Sequence, residues 1–512
     1  MVAVRADQVQ LRRIGECTLI DLSRGTRSQR RVLIGLLAVS AFSLSACGGS
    51  TLDPADVVRA NQAVQGGGVP GSGPATGVPG PGTGVVDPSV PGGSVVDPGT
   101  PGSTAGPSTS GGTGTGGGPG TPGAVPAVGQ GGKVASCAGF KNSTGITDDK
   151  ITVANVADIS GPVPGIFTPA QQAVAAYAAY FNSTSDICGR KLAVKNYDSQ
   201  TNTSADAVAT QKSCDETFAS VGSMEAFDSG GAAIAARCGI PEIHAIITNG
   251  VRASSCDSCF ATESPSGGYF QNAIPDYFTK VNKAATQKAA MLYVGVAASV
   301  DGAKAQIQGE KNRGWKFVYE ASFDIAEFNY GPYVQKLKTS GARIVQLFGS
   351  PDMAVRMAKA FKAANYTPDY FVMNATSYDK AFEAAGSSVD GSIIYVDFTP
   401  IEEAAGNPEL RLYLQWLGQV APGARPTYFG MYAWSAARLF VEKAAGLGGR
   451  LTRANLVREL RTAKAWTSNG LHSPRNVGGK TVPECWRFLQ IKGGKWSPLG
   501  PTKYSCTGRS RV

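Results

Sequence analysis

The sequence predicts an α/β protein of two doubly wound parallel-sheet lobes joined by a hinge. Three observations predict it. From about residue 150 onward, short apolar segments rich in β-branched residues alternate with helix-length segments carrying apolar stripes, the pattern of parallel strands covered on both faces. The alternation runs through two successive sets, so two sheets are expected. Glycine and proline, 65 and 30 of the 512 residues, crowd into one stretch ahead of these sets.

In the first set, 151–159 (ITVANVADI) is a buried strand, followed by a Ser160-Gly161-Pro162 turn and an apolar helix over about 169–182. A strand at 191–198, a helix over 203–219, a strand at 220–224, a helix opening near Asp228 and a strand at 242–247 follow. After a helix around 267–283 the second set places strands at 289–296, 317–322, 344–348 and 370–373. Its helices fall at about 302–313, 330–340, 351–364 and 377–385. A strand at 392–399 is expected to lead back to the first lobe, then helices near 407–420, 427–446 and 452–463, with β-type residues closing at 484–491. The two-lobed domain is thus expected over 133–512, with lobe 1 at about 137–270 plus 400–512 and lobe 2 at 271–399.

The leading segment addresses the chain outward. Arg24, Arg27, Arg30 and Arg31 precede an apolar run, Val32 to Leu44, about 13 residues long. That is too short for a span and fits a secretory signal over 1–46. The run ends Leu44-Ser45-Ala46-Cys47-Gly48 and resembles a bacterial lipobox, which implies lipidation of Cys47 and a lipidated N-terminus over 47–64. Two or more acyl chains anchor firmly where one does not. Residues 65–132 hold 25 Gly and 12 Pro, two charges and no aromatic residue, too little apolar surface to offset chain entropy. They are expected to form a disordered tether with a reach of roughly 45 Å.

The formal charge of +10 includes seven Arg within residues 1–46. No Lys/Arg run lies beyond them, so no nucleic-acid partner is expected. Eight Cys follow the tether, an even number that argues for disulfides in an exported chain. Proximity favours Cys256–Cys259 and Cys485–Cys506; Cys214 and Cys238 flank one strand-and-helix stretch, and Cys137 with Cys188 remains. Composition alone leaves 105 pairings open. Cys256-Asp-Ser-Cys259 could be half a zinc site or a redox dithiol, but no second pair has ribbon spacing and no His is near, so a staple is expected and no metal or cofactor.

Enzyme motifs fail one by one. Gly478-Gly479-Lys480-Thr481 has Pro474 where a phosphate loop needs Gly. No Gly-x-Ser-x-Gly elbow occurs. The two His, His244 in a strand and His472 in a loop, fit no acid–base pair, and Glu402-Glu403 sits in a polar loop. No catalytic residue is expected.

The strand ITVANVADI, the turn SGPVPG and the helix PAQQAVAAYAAYFN come in that order. Tyr197-Asp198, SVGSM and Ile247-Thr248-Asn249 follow at matching spacings. On these residues the region 148–500 resembles the type I solute-binding proteins of ABC importers, in the branched-chain amino-acid and amide-binding group. Cys214 and Cys238 are about as far apart as a disulfide pair in such relatives. The resemblance implies a hinged monomer that closes over a small molecule, an amino acid, amide or apolar acid, and hands it to permease and ATPase subunits. The same fold also serves as a ligand-sensing domain beside a signalling partner.

Ligands of open α/β sheets bind beyond the strand C-termini. The expected contacts are therefore Ser160, Phe167, Phe227, Asp228, Ser229 and Thr248 in the first lobe, and Ser299, Asp301, Phe348 and Asn374 in the second, with Ser350 beside them. Asp228 and Asp301 could instead be helix N-caps, and Tyr428 is expected to serve helix packing. The resemblance implies that Ala226–Ser229 and Thr248 grip a ligand carboxylate. It also implies an acid for the ammonium group where this chain has Asn374. That departure points toward an apolar or amide-like ligand walled by Phe167, Phe227 and Phe348.

Overall fold

A computed structural model describes residues 135–264 and 268–512. The expected signal peptide, Cys47 and the tether lie outside the described residues. Five parallel strands form the first sheet: β1 (Lys150–Ala157), β2 (Lys191–Asp198), β3 (Ala219–Val221), β4 (Glu242–Ile246) and β5 (Cys259–Glu263). Their order is β2-β1-β3-β4-β5. The strand β5, not expected from the sequence, opens on Cys259 of the Cys256–Cys259 disulfide. Helices α1 (Thr168–Thr184), α2 (Thr203–Glu216), α3 (Ser229–Cys238) and α4 (Gly250–Ser255) connect them.

After β6 (Tyr269–Gln271) and α5 (Ala273–Thr286), the chain builds β7 (Ala289–Val294), α6 (Ala297–Asn312), β8 (Phe317–Phe323), α7 (Gly331–Ser340), β9 (Ile344–Phe348), α8 (Pro351–Ala363), β10 (Tyr370–Met373), the one-turn α9 (Lys380–Glu383) and β11 (Ile393–Val396). The second sheet runs β8-β7-β9-β10-β11, the same doubly wound order as the first. Two lobes of mixed α/β structure with parallel sheets are therefore present, as the periodicity predicts.

Helices α10 (Pro408–Val420), α11 (Tyr428–Leu447) and α12 (Arg453–Leu460) return to the first lobe. α11 packs on α1 and β4 and is buried almost all round, so its sequence is apolar on every face. The close approach needs small residues. Gly222, at φ +69°, would bring a Cβ within 3.2 Å of the Ala433 Cβ.

The expected boundary of lobe 1 needs correcting. β12 (Cys485–Lys492) and β13 (Lys495–Leu499) extend the second sheet antiparallel from β11. They cover what would otherwise be an open edge, and Trp486 and Phe488 bury against Phe278 of α5. Strands β14 (Ser505–Cys506) and β15 (Arg509–Arg511) pair with β12 and β6. The chain thus passes between lobes three times, after β5, after β11 and between α12 and β12. The second and third passages run side by side through a Phe398–His472 bridge.

Disulfides join Cys137–Cys188, Cys214–Cys238, Cys256–Cys259 and Cys485–Cys506. Among the described residues no helix is long and apolar enough to cross a membrane.

Candidate functional site

The strand ends of both sheets open onto one cavity of about 830 Å³, where a doubly wound fold presents its ligand site. The first lobe contributes Val163, Ile166, Phe167, Met224, Ile246 and Thr248. The second contributes Val294, Val296, Ile325, Phe348, Met353 and Asn374. Glu263, Tyr395, Val482 and Trp486 line the end where the chain crosses between lobes. The wall is predominantly apolar, and Phe167 meets Phe429 edge-on with centroids 5.0 Å apart.

Of the ten expected contacts, Phe167, Thr248, Ser299, Asp301, Phe348 and Asn374 line this cavity, as does Ser350. Four do not. Ser160 is exposed, and its hydroxyl donates to Asp198 Oδ2 at 2.6 Å. Phe227 and Ser229 lie outside the lining, whereas their neighbour Ala226 is part of it. Asp228 is fully buried and turned inward, its Oδ2 accepting the Thr248 N–H at 2.7 Å and the Asn249 N–H at 3.3 Å. Asp228 makes no capping bond of its own helix. Asp301 is no cap either, because α6 begins at Ala297 rather than 302 and carries Ser299 and Asp301 within its first turns. Tyr428, expected to serve helix packing, also lines the cavity, as does its neighbour Phe429.

Of the first-lobe amides expected to grip a ligand carboxylate, those of Ala226 and Thr248 are taken by the protein's own carboxylates: Asp158 Oδ2 accepts the Ala226 N–H at 2.8 Å and Asp228 Oδ2 the Thr248 N–H at 2.7 Å. The neighbouring Gly231 and Asn249 amides donate to Asp206 at 2.7 Å and Asp228 at 3.3 Å. The Thr248 hydroxyl donates to the Glu225 carbonyl at 2.7 Å, so it can only accept from a ligand. Beneath this wall lies a buried charge cluster. Arg252 pairs with Glu242 at 2.8 Å and Asp206 at 3.4 Å, while His244 sits between Glu242 at 3.0 Å and Glu225 at 3.2 Å. Burial pulls His244 down, but Glu225 and Glu242 outweigh it and push it up to about 10. Burial raises Asp228 to about 6, against the attraction of Arg252.

Sequence reasoning missed the crossing end. Asp397, just past β11, pairs with Arg475 at 2.7 Å, and Tyr432 of α11 donates to Asp397 and accepts from Arg475. Glu263 faces this group from the end of β5; burial and the Asp397 carboxylate push it up to about 8, against the pull of Arg475. Behind Tyr395, its hydroxyl donates to Gln306 at 2.9 Å, and Gln306 and Gln346 donate to Glu310 at 2.9 Å and 2.6 Å. Burial alone drives Glu310 up to about 8. These residues are scattered between 263 and 475, so no spacing announces them; the one signal is an acid closing an apolar strand, as in FATE at 260–263. Among the described residues the one metal-like group, Glu242 with Cys256 and Cys259, has both sulfurs joined to each other and offers no thiolate.

The model of a periplasmic binding protein family matches residues 150–495. Among solved structures, the chain is similar in fold to a fatty acid ABC transporter substrate-binding protein from Thermomonospora curvata (TM-score 0.61, 16% identity, 72% of this chain and 95% of that one covered). It is also similar to the leucine-binding protein LivK from Thermotoga maritima (0.58, 14%, 68% and 98%). An ABC transporter solute-binding protein from R. palustris in complex with 4-hydroxybenzoate gives 0.57, 16%, 70% and 97%. Comparison with curated proteins gives no match.

Proposed function

This chain belongs to the periplasmic binding protein family, and from that premise we propose that it captures a largely apolar small molecule between its lobes and delivers it to an ABC importer. The family is an extracytoplasmic, ligand-binding and non-enzymatic one, so the cavity binds rather than transforms. The ligand favours the closed arrangement of the lobes and shifts the hinge equilibrium toward it. Cys47 carries the lipid anchor, and 65–132 tethers the domain to the membrane, within reach of permease and ATPase subunits.

One observation carries the ligand class: the Ala226 and Thr248 amides, which would help hold an amino-acid carboxylate, are occupied by Asp158 and Asp228. These carboxylates repel a second anion there, and Asn374 offers no charge to an ammonium group. Phe167, Thr248, Ser299, Asp301, Phe348 and Asn374 are the proposed contacts, in a wall that suits an amide or an apolar body. One fold neighbour is the substrate-binding protein of a fatty acid ABC transporter and another is in complex with 4-hydroxybenzoate, which supports an apolar body in this architecture.

The test is extraction of any co-purified small molecule from the lipoprotein, identified by mass spectrometry, followed by a thermal-shift screen. A ligand at a hundred times its dissociation constant adds about 2.7 kcal/mol. Apolar amides and alcohols are expected to raise Tm and free amino acids are not. A Tm rise with leucine or isoleucine alone would sink this ligand class.

A further inference from the structure

The crossing end of the cavity holds one acid that the protein satisfies only in part. Asp397, Arg475 and Tyr432 bond one another and Tyr432 also lies beside Glu263, yet Glu263 Oε2 makes no well-formed hydrogen bond, on a residue that lines the cavity. Buried polar atoms in folded proteins are almost always paired, so an unpaired one against a cavity points to a partner that arrives from outside.

We propose that Glu263 hydrogen-bonds the ligand and selects an apolar molecule carrying an uncharged hydroxyl or amide group. The assignment rests on the reading of this chain as a binder of apolar ligands and narrows it. The surroundings decide the chemistry. The groups that face Glu263 are Asp397 from the second crossing, Arg475 from the third, Tyr428 and Tyr432 from α11, and Tyr395 from β11. Arg475 already balances Asp397, so among the described residues this end of the cavity offers no unpaired positive charge to a ligand anion; the cation of the lining, Lys304, stands on α6 of the second lobe. Burial keeps Glu263 the uncharged acid at neutral pH, so it offers no counter-charge to a ligand cation. A neutral hydroxyl or amide N–H is what such an oxygen satisfies, and a ligand lacking it leaves a buried acceptor unpaired.

The experiment is isothermal titration of the full chain with probes of one length: 1-octanol, octanamide, methyl heptyl ether, octanoate and octylamine. The alcohol and amide are expected to bind about tenfold or more tightly than the ether. Glu263→Met should erase that preference, and Glu263→Gln, also uncharged and hydrogen-bonding, should keep it. Circular dichroism melts check that both variants fold; if the Met variant does not, the native series and the Gln variant decide. Equal binding of alcohol and ether, tighter binding of octanoate or octylamine than octanol, or a preference surviving in a folded Glu263→Met overturns the assignment. Binding of none of the five overturns the apolar-ligand reading itself, a failure distinct from indiscriminate binding of all.

Discussion

Single residues set the shape and the cost of the site. Gly302 of α6 lies against Phe348: a Cβ there would meet the ring Cε1 at 2.9 Å. Gly302→Ala gains helix propensity of about 0.5–1 kcal/mol and pushes the ring toward the cavity. Tm is expected to stay within a few degrees while the affinity for the co-purified ligand falls about tenfold, read by titration calorimetry. An unchanged affinity would show that Phe348 is no wall of the ligand site. Arg252 is the opposite case, a buried charge without which Asp206 loses its ion-pair partner and Glu242 keeps only His244. Arg252→Met should cost about 3–5 kcal/mol in urea unfolding at pH 7. The loss should shrink at pH 5, because Glu242, which Arg252 and His244 hold down to about 2 against burial, would then take up a proton. Equal losses at both pH values would contradict this role.

Among the elements, α6 joins the cavity to the second sheet. Its first turns carry Ser299 and Asp301 into the lining, and its last carries Glu310 beneath Gln346 of β9. Glu310 keeps its proton up to about 8 because burial disfavours the charge. A folded pKa above the unfolded one contributes stability that is full below about 4.3 and is lost as pH rises to 8. Glu310→Gln stays neutral throughout. Thermal melts should find the variant close to the native protein at pH 5 and more stable than it at pH 9; a constant difference between the two would rule out a buried, protonated Glu310.

At the scale of the whole molecule these protons add. Burial raises Asp228 to about 6, Glu225 to about 7, and Glu263 and Glu310 to about 8, while two carboxylates lift His244 to about 10. Each binds its proton more tightly when folded, so each contribution is lost with rising pH. His472, buried and held well below its usual value, opposes them only as pH falls below about 6.5. Stability is therefore expected to decline between about pH 5 and 10, the last step coming from His244; a Tm that rises from pH 7 to 10 would contradict the sign. The anchor is a second whole-molecule prediction. Cys47→Ala should move the protein from the membrane fraction to the soluble one, and a variant that stays with the membrane would refute lipidation at this Cys.

The alternation of strands and helices was legible because each element must bury one face, and burial writes its period into the sequence. ITVANVADI and PAQQAVAAYAAYFN therefore stood out, as did Thr248, Phe348 and Asn374, which line the cavity. Tertiary structure alone decided which side each candidate faces. Asp228 turned inward because the Thr248 and Asn249 amides offered it partners. Residues 485–499 joined the second lobe because β11 had an open edge, a pairing energy that leaves no local mark. Glu263, Asp397 and Arg475 met because three passages between lobes converge at one hinge. Such a meeting depends on long-range contact, and no spacing along the chain encodes it.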